Sequence, residues 1–276
     1  MDLYYYRDFR GWNNFGDDLN KWFWPKVIGE YLKNNDQFVF VGFGTLINEY
    51  LSVRLAGFKE KIIFGTGVGY GSSLPVLDSS WHILFVRGPL SAKKLGLSSR
   101  DAITDSAMLI RNFYSKANGN LIGFMPHVSQ DVQGNFHWRK LCKKLGYLYI
   151  SPQAEVATVL AQIRSCKLLL SEAMHGAIVA DALRVPWIPL ASSDVLPFKW
   201  LDWCQSLELP YHPIKIPSFW TSKTPLSKVK NCIKFRLAEQ SFHRAVTHGP
   251  YQSKEHILDD KINQINARLL TIKSLL

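Results

Sequence analysis

Short apolar runs alternate with longer amphipathic segments along most of the chain. Each run is too short for a helix and is bounded by polar residues, so it predicts a buried strand. These runs are 38–41, 62–64, 83–86, 121–125 and 168–170. Segments with helical spacing of apolar residues lie between or after them, at 141–148 and 155–163 among others. Strands that alternate with helices predict an α/β fold with parallel sheets.

The polar run 115–120 predicts a linker between two domains. At 276 residues the chain is long enough for two domains that each bury a core. We therefore predict an N-terminal α/β domain at 1–117 and a C-terminal α/β domain at 118–276. Both are expected to be doubly wound, with a ligand cleft at the carboxyl ends of the strands. The C-terminal helices are expected to pack back on the first domain.

The stretch 168–190 predicts a strand, a crossover helix and a second strand. Ser171 is predicted to cap the helix, and Pro186 to end it. His175 then falls in the first helical turn, where free N–H groups and the helix dipole favour an anion. A histidine there could bind or protonate an anionic ligand, or could simply be a structural residue at a sheet edge.

Three other stretches contain candidate ligand contacts. Asn14, Gly16 and Asp17 lie in a run typical of a tight turn, with a helix to follow in which Pro25 lies near the start or makes a kink. Arg87 ends a predicted strand just before a helix that begins at Pro89, where a surface salt bridge is the alternative role. Asp105 is expected to be a helix cap.

Glycine-rich segments follow two of the predicted strands, at 42–45 and 65–71. Glycines at such places let a ligand approach the backbone closely. Neither segment is a G-x-G-x-x-G fingerprint, and no Lys-Ser/Thr completes a P-loop. We therefore reject nucleotide hydrolysis and expect both segments to line a cleft.

The net charge of +11 is concentrated at the end of the chain, where residues 221–276 contribute +6. Such a basic end suits nucleic acid, anionic lipid or an acidic substrate, but we find no nucleic-acid-binding module. The four cysteines are scattered and are expected to be reduced core residues, without a zinc site. With no apolar run long enough to span a membrane and no signal peptide, the sequence predicts a cytoplasmic protein.

The segment SEAMHGAIVADALRVPW resembles the C-terminal signature of the polysaccharide pyruvyltransferases. These enzymes move a pyruvate unit from phosphoenolpyruvate onto two hydroxyls of a sugar. The resemblance implies two Rossmann-like domains that face a cleft, as in the GT-B arrangement, with the acceptor on the N-terminal side and the donor on the C-terminal side. It also implies a glycan acceptor, which is commonly lipid-linked in this family, and neither cofactor nor metal.

Several shorter motifs match the same family in order along the chain: Asn14-x-Gly16-Asp17, Val86-Arg87, Pro126-His127 and the segment around Lys199, Phe-Lys-Trp-x-Asp-Trp. The match implies that His175 is the general acid and that Asp17 orients or deprotonates the acceptor hydroxyl. Arg87 and Lys199 are expected to neutralise the donor, because Ala173 stands where many members have arginine. The remaining substrate-binding residues are expected to be Asn14, Gly67, His127, Glu172 and Met174.

Two other functions stay open on the sequence alone. A GT-B nucleotide-sugar glycosyltransferase would need a carboxylate on the ribose; Glu172 comes too early, and Asp194 is a weak candidate. The second of these alternatives is a non-catalytic basic protein that binds a glycan or lipid. The apolar stripe of the last helix, from Leu258 to Leu276, would cover a domain seam or lie on an anionic membrane.

Overall fold

A computed structural model describes residues 1–32, 37–192, 195–220 and 225–276, with side chains from 229 onward in the last segment. The first half of the chain forms a parallel four-stranded sheet whose strands follow each other in sequence order. The strands are β1 (Asp2–Tyr4), β2 (Phe38–Val41), β3 (Glu60–Phe64) and β4 (Trp81–Phe85). The apolar runs therefore predicted β2 at its observed bounds, and β3 and β4 within a few residues.

Both faces of this sheet are covered, because side chains alternate along each strand. Phe40 and Phe64 pack in one core with α1 (Phe15–Ile28) and a 3-10 helix (Ser106–Phe113). On the other face Ile63 packs with α2 (Tyr50–Arg54). Helix α3 (Pro89–Lys94) follows β4, with a second short 3-10 helix at Ser99–Asp101.

The second half forms a parallel five-stranded sheet: β5 (Leu121–Met125), β6 (Leu148–Tyr149), β7 (Cys166–Ser171), β8 (Trp187–Ala191) and β9 (Ile214–Lys215). Its spatial order is β6-β5-β7-β8-β9, so the direction of winding reverses between β5 and β7. A doubly wound sheet binds its ligand at such a switch point, beyond the carboxyl ends of the two strands. The connecting helices are α4 (Val128–Leu145), α5 (Val156–Arg164), α6 (Met174–Ala182) and α7 (Pro197–Ser206).

Three local predictions are wrong. Residues 14–17 do not form a tight turn, because Asn14 is the N-cap of α1. Pro25 lies well inside that helix, which rules out the first of its two predicted positions, near the helix start. Ser171 does not cap α6, which has Ala173 as N-cap; its hydroxyl donates instead to the Ala173 carbonyl at 2.7 Å. The helix predicted at 141–148 is α4, which begins at residue 128 and ends at residue 145, and the last predicted residue, Leu148, belongs to β6.

The chain ends in two long helices, α8 (Pro225–Thr247) and α9 (Glu255–Leu275). The apolar stripe of α9 is buried, with Leu258, Ile265 and Ile272 fully enclosed. The helix also reaches the first half of the chain, where Arg268 pairs with Asp101 at 3.5 Å. The apolar stripe of α9 therefore packs against other elements of the fold.

The predicted domain boundary lies in the irregular segment 115–120 between the two sheets, and the division into domains stays a prediction. Cys142, Cys166 and Cys204 are buried as expected, whereas Cys232 is exposed, which contradicts its assignment to the core. Among the described residues, no helix is both long and apolar enough to cross a membrane.

Candidate active site

A cavity of about 680 Å³ lies at the switch point of the second sheet. Its wall includes Met125 and His127 after β5, and Ala173 to His175 after β7. The first half of the chain supplies most of the rest, from the segments after β1, β2 and β3, the beginning of α1, and α2. Val128 of α4 and Lys199 of α7 complete the wall. Parallel strands from both halves thus bring their carboxyl ends to one pocket, as the sequence predicted for the cleft.

His175 lies in the first turn of α6, as predicted, and only 13% of its side chain is exposed. Its ring packs against Phe43, with ring centroids 5.6 Å apart, and against the backbone of Gly16. A Cβ atom at Gly16 would come within 2.3 Å of His175 Nδ1. The glycine of the Asn-x-Gly-Asp motif is therefore needed for the histidine to reach the pocket.

The imidazole of His175 is neutral at pH 7 in the ligand-free protein. Burial is the main cause that lowers its pKa to about 3, and the positive charges of the nearby Lys199 and Arg87 contribute to the same shift. Its Nε2 atom is enclosed and has no hydrogen-bond partner among the residues that the structure describes. The carboxylate oxygen Oδ2 of Asp105 lies 3.7 Å from it.

Asp17 lines the same pocket and is held in place by Asn14, whose amide Nδ2 donates to Asp17 Oδ2 at 2.6 Å. Burial raises the pKa of Asp17 to about 7, although the hydrogen bond from Asn14 opposes the shift. A carboxyl group with that pKa can exchange a proton near neutral pH. The structure thus brings Asn14, Asp17 and His175 together.

Arg87 is fully buried and does not line the pocket. Its Nε donates to Asp202 Oδ2 at 3.2 Å, and Nη1 donates to the Gly44 carbonyl and to Thr45 Oγ1. Only Nη2 lacks a partner among the described atoms. Gly67 also lies behind the pocket wall, where a Cβ atom would meet the guanidinium at 2.3 Å. A free two-pronged contact from Arg87 to the donor is therefore not available in this conformation.

Lys199 lies in the first turn of α7 and does line the pocket. Its Nζ donates to the hydroxyl of Tyr70 at 3.0 Å, and the residue is 8% exposed. The other cationic side chains on the described wall are Arg10 and Arg54. Lys199 is the most enclosed of the three, so it is the cation best placed to contact an anion inside the pocket.

Glu172 does not line the pocket, and its carboxylate links the segments that follow β5 and β8. Its Oε2 accepts from the backbone N–H of His127 and its Oε1 from that of Ser192, both at 2.9 Å. No observation therefore favours it as a ribose ligand, and Asp194 lies outside the described residues. Met174 and His127 both line the pocket, and their contact with a substrate stays a prediction.

Several functional candidates were missed in the sequence. Asp202 belongs to the Phe-Lys-Trp-x-Asp-Trp motif, but its pairing with Arg87 was not predicted, and neither was the approach of Asp105 Oδ2 to His175, since these partners are far apart along the chain. The outer part of the pocket wall was missed as well, and we call it the aromatic rim. It consists of the half-buried Tyr6 and Trp12 and the exposed Arg10, Tyr50 and Arg54. The described residues contain no group of three or more His, Cys, Asp or Glu side chains placed to hold a metal ion.

Comparison with known proteins identifies the family of this chain. Residues 2–194 match the family model "Polysaccharide pyruvyl transferase". The chain belongs to this family. It is 35% identical over 228 residues to the succinoglycan biosynthesis protein ExoV of Rhizobium meliloti (strain 1021), which covers 79% of this chain and 68% of that protein. It is also 27% identical over 202 residues to the uncharacterized protein L143 of Acanthamoeba polyphaga mimivirus, covering 67% of each chain. The protein is therefore a transferase with a polysaccharide acceptor.

Proposed function

We propose that the protein transfers the pyruvyl unit of phosphoenolpyruvate to two hydroxyls of one sugar, forming a pyruvate ketal in exopolysaccharide or capsule biosynthesis. The methylene carbon of the donor gains a proton, both acceptor oxygens bond to the adjacent carbon, and its bond to the phosphate oxygen breaks. Of the two hydroxyl protons, one balances the new methyl group and the other leaves on phosphate. No redox partner is needed.

The observation that carries the proposal is the meeting of His175, Asp17 and Lys199 on one pocket wall in a chain of this family. Lys199 would neutralise the donor's phosphate or carboxylate. The N-terminus of α6, with its free N–H groups, supports an anion at the same place.

His175 would protonate the methylene carbon, and Asp17 would take the proton of the attacking hydroxyl. A neutral imidazole on its own is a poor acid, so His175 needs either the charged form, which donor binding would favour, or a second proton from a neighbouring group. The donor's negative charges would raise the pKa of His175, because they offset the repulsion from Lys199 and Arg87.

The aromatic rim would bind the acceptor. Trp12, Tyr6 and Tyr50 offer faces on which sugar rings pack, while Arg10 and Arg54 offer hydrogen-bond donors and positive charge. Residues 1–117 would thereby serve the acceptor and residues 118–276 the donor, in a GT-B-like arrangement.

The test is phosphate release from phosphoenolpyruvate in the presence of a bacterial exopolysaccharide oligosaccharide, with mass spectrometry of the glycan. The expected result is phosphate release that depends on the glycan, together with the mass increase of one ketal. Glycan-dependent release of a nucleotide from a nucleotide sugar, without reaction of phosphoenolpyruvate, would instead support the glycosyltransferase.

We also propose a peripheral contact with the cytoplasmic face of an anionic membrane, where a lipid-linked acceptor would lie. Because α9 buries its stripe, the contact is assigned to α8, where Val229, Ile233 and Leu237 are 59%, 57% and 49% exposed. Lys230 and Arg236 flank them. Sedimentation with anionic vesicles should be lost in Ile233→Asp but kept in Leu270→Asp, which alters an exposed leucine of α9. A parent protein that ignores such vesicles at low salt would contradict the assignment.

A further inference from the structure

Four ionisable side chains, Arg87, Asp105, His175 and Asp202, form a group that we call the buried cluster. Arg87 and Asp202 are fully enclosed and paired, with Nε and Oδ2 3.2 Å apart, so their charges cancel. Asp202 is held further by the backbone N–H of Ser91 at 2.9 Å. The remaining charge balance therefore depends on Asp105 and His175 alone.

Asp105 and His175 together are neutral when they hold one acidic proton in addition to the imidazole's own N–H. Two atoms could share this acidic proton, Asp105 Oδ2 and His175 Nε2. Both are enclosed, and neither has a hydrogen-bond partner in the described part of the chain. They lie 3.7 Å apart, about half an ångström beyond hydrogen-bond distance. Two buried polar atoms left without partners cost free energy, which a shared proton would recover.

The backbone fixes both partners of this pair. Asp105 caps the 3-10 helix that follows it, since its Oδ1 accepts from the Ala107 N–H at 3.0 Å. That contact leaves Oδ2 to face the histidine. On the opposite side of the ring, Nδ1 lies against Gly16, which lines the pocket. Nδ1 is thus the ring nitrogen that can meet a ligand, while Nε2 faces Asp105.

We propose that Asp105 is a positioning residue that shares one proton with His175 and thereby makes its Nδ1–H the acid of the reaction. This inference rests on the proposed function. As Nδ1 gives its proton to the methylene carbon of the donor, Nε2 takes the proton of Asp105. The products are an Asp105 carboxylate and a neutral imidazole protonated at Nε2. Two protons move in all, one from Nδ1 to the donor carbon and one from Asp105 to Nε2. The imidazolium need not accumulate in its buried position.

The charges around Asp105 are consistent with this role. Burial raises the pKa of Asp105 to about 7; Arg87, from the segment after β4, opposes the shift, and Asp202 of α7 adds to it. Lys199 of α7 and Asp17 of α1 face the pocket side of the histidine. Asp105 therefore holds its proton below pH 7 and loses it above, so its titration makes kcat/KM fall above about pH 7, whereas the titration of Asp17 as the base makes it rise below that pH.

The decisive variant is Asp105→Asn, whose amide oxygen can still cap the 3-10 helix but whose amide group has no acidic proton to transfer. We expect kcat to fall by about 100-fold or more, with the KM for phosphoenolpyruvate nearly unchanged. The decline of kcat/KM above pH 7 should also disappear. Asp101→Asn, the same exchange four residues earlier on a partly exposed side chain, should behave like the parent.

An Asp105→Asn variant with turnover within about threefold of the parent and the same pH profile would overturn the proposal. A parent that releases no phosphate from phosphoenolpyruvate would refute the proposed function and with it the catalytic step. In that case nuclear magnetic resonance still tests whether Asp105 and His175 share a proton. The parent protein is labelled with ¹⁵N-histidine, and the signal that is missing in His175→Gln identifies His175. At pH 6 we expect Nδ1 to carry the proton and Nε2 to be bare, and the opposite tautomer would rule out the pair even if Asp105→Asn does not fold.

Discussion

The buried cluster and the aromatic rim handle charge in opposite ways. In the cluster, Arg87 is enclosed and each contact is fixed by a partner from another element, including Asp202 of α7 and Thr45 after β2. In the rim, Arg10 lies over the ring of Trp12 with its guanidinium carbon 3.6 Å from the ring centroid. Its partner Asp8 is only two residues away, and 46% of the arginine side chain is exposed.

The difference follows from how far each region is exposed to solvent. A buried charge must be neutralised by protein groups, so the cluster needs residues from distant parts of the chain and tolerates little change. An exposed charge is solvated in either state, so an ion pair there contributes little to stability. We therefore expect the cluster to determine folding and chemistry, and the rim to determine only how the acceptor binds.

The largest effect is expected for Asp202→Ala, which leaves Arg87 buried without its counter-charge. Removing one partner of a buried ion pair typically costs about 3–5 kcal/mol, and Ser91 would lose its acceptor as well. Urea unfolding should show a much lower midpoint. The matched exchange in the rim, Asp8→Ala, breaks the pair with Arg10 and should leave the midpoint close to that of the parent. Equal losses in the two variants would contradict the comparison.

His175→Gln should affect chemistry more than stability. Loss of a general acid typically lowers the rate by about 10²–10⁴-fold. Glutamine fills much of the space between Phe43 and Gly16, so the melting temperature should change little. His212→Gln, at an exposed position outside the pocket, is the control. If turnover falls less than about tenfold in a folded variant, His175 is not the acid.

The parts of the fold that the sequence predicted are those with a local pattern. The run Phe38–Val41 became β2 with the same bounds, and His175 lies in a first helical turn between two strands, as its neighbours indicated. Residues 14–17 misled because Asn, Gly and Asp are common in turns. Phe15 and Leu19 are both fully buried, and their spacing of four residues places them on the same face of α1.

The site was less predictable than the fold, because its contacts join distant residues. The sequence identified Arg87 but not its partner, which lies 115 residues later. It identified Asp105 as a cap, which is correct for Oδ1, but the second oxygen faces a histidine 70 residues away. No composition, periodicity or motif in the segment around Asp105 carries that information.

A smaller effect is expected for Lys199→Met, which removes the enclosed cation but keeps an apolar stem. A hydrogen bond to a charged group typically contributes about 1.5–3 kcal/mol, so the affinity for phosphoenolpyruvate should fall by roughly tenfold or more. Arg54→Met in the rim should leave donor affinity near that of the parent. Calorimetry at fixed salt measures both, and equal donor affinity in the parent and Lys199→Met would mean that the donor binds elsewhere.

The smallest effect is expected in the rim itself, from Trp12→Ala. Truncating an aromatic contact typically costs about 1–2 kcal/mol, so the KM for the glycan should rise by about 5- to 30-fold. Both kcat and the KM for phosphoenolpyruvate should stay near the parent values, because Trp12 does not touch the cluster. Trp12→Phe should recover part of the loss, since it keeps an aromatic face.

Phe9→Ala is the matched control for Trp12→Ala, because Phe9 belongs to the same loop, is 89% exposed and does not line the pocket. Its removal should leave the KM for the glycan unchanged. A Trp12 variant that loses kcat instead of acceptor affinity would show that the rim takes part in the chemistry. The separation between a buried region that reacts and an exposed region that binds would then be wrong, since a solvated side chain would be fixing the reacting groups.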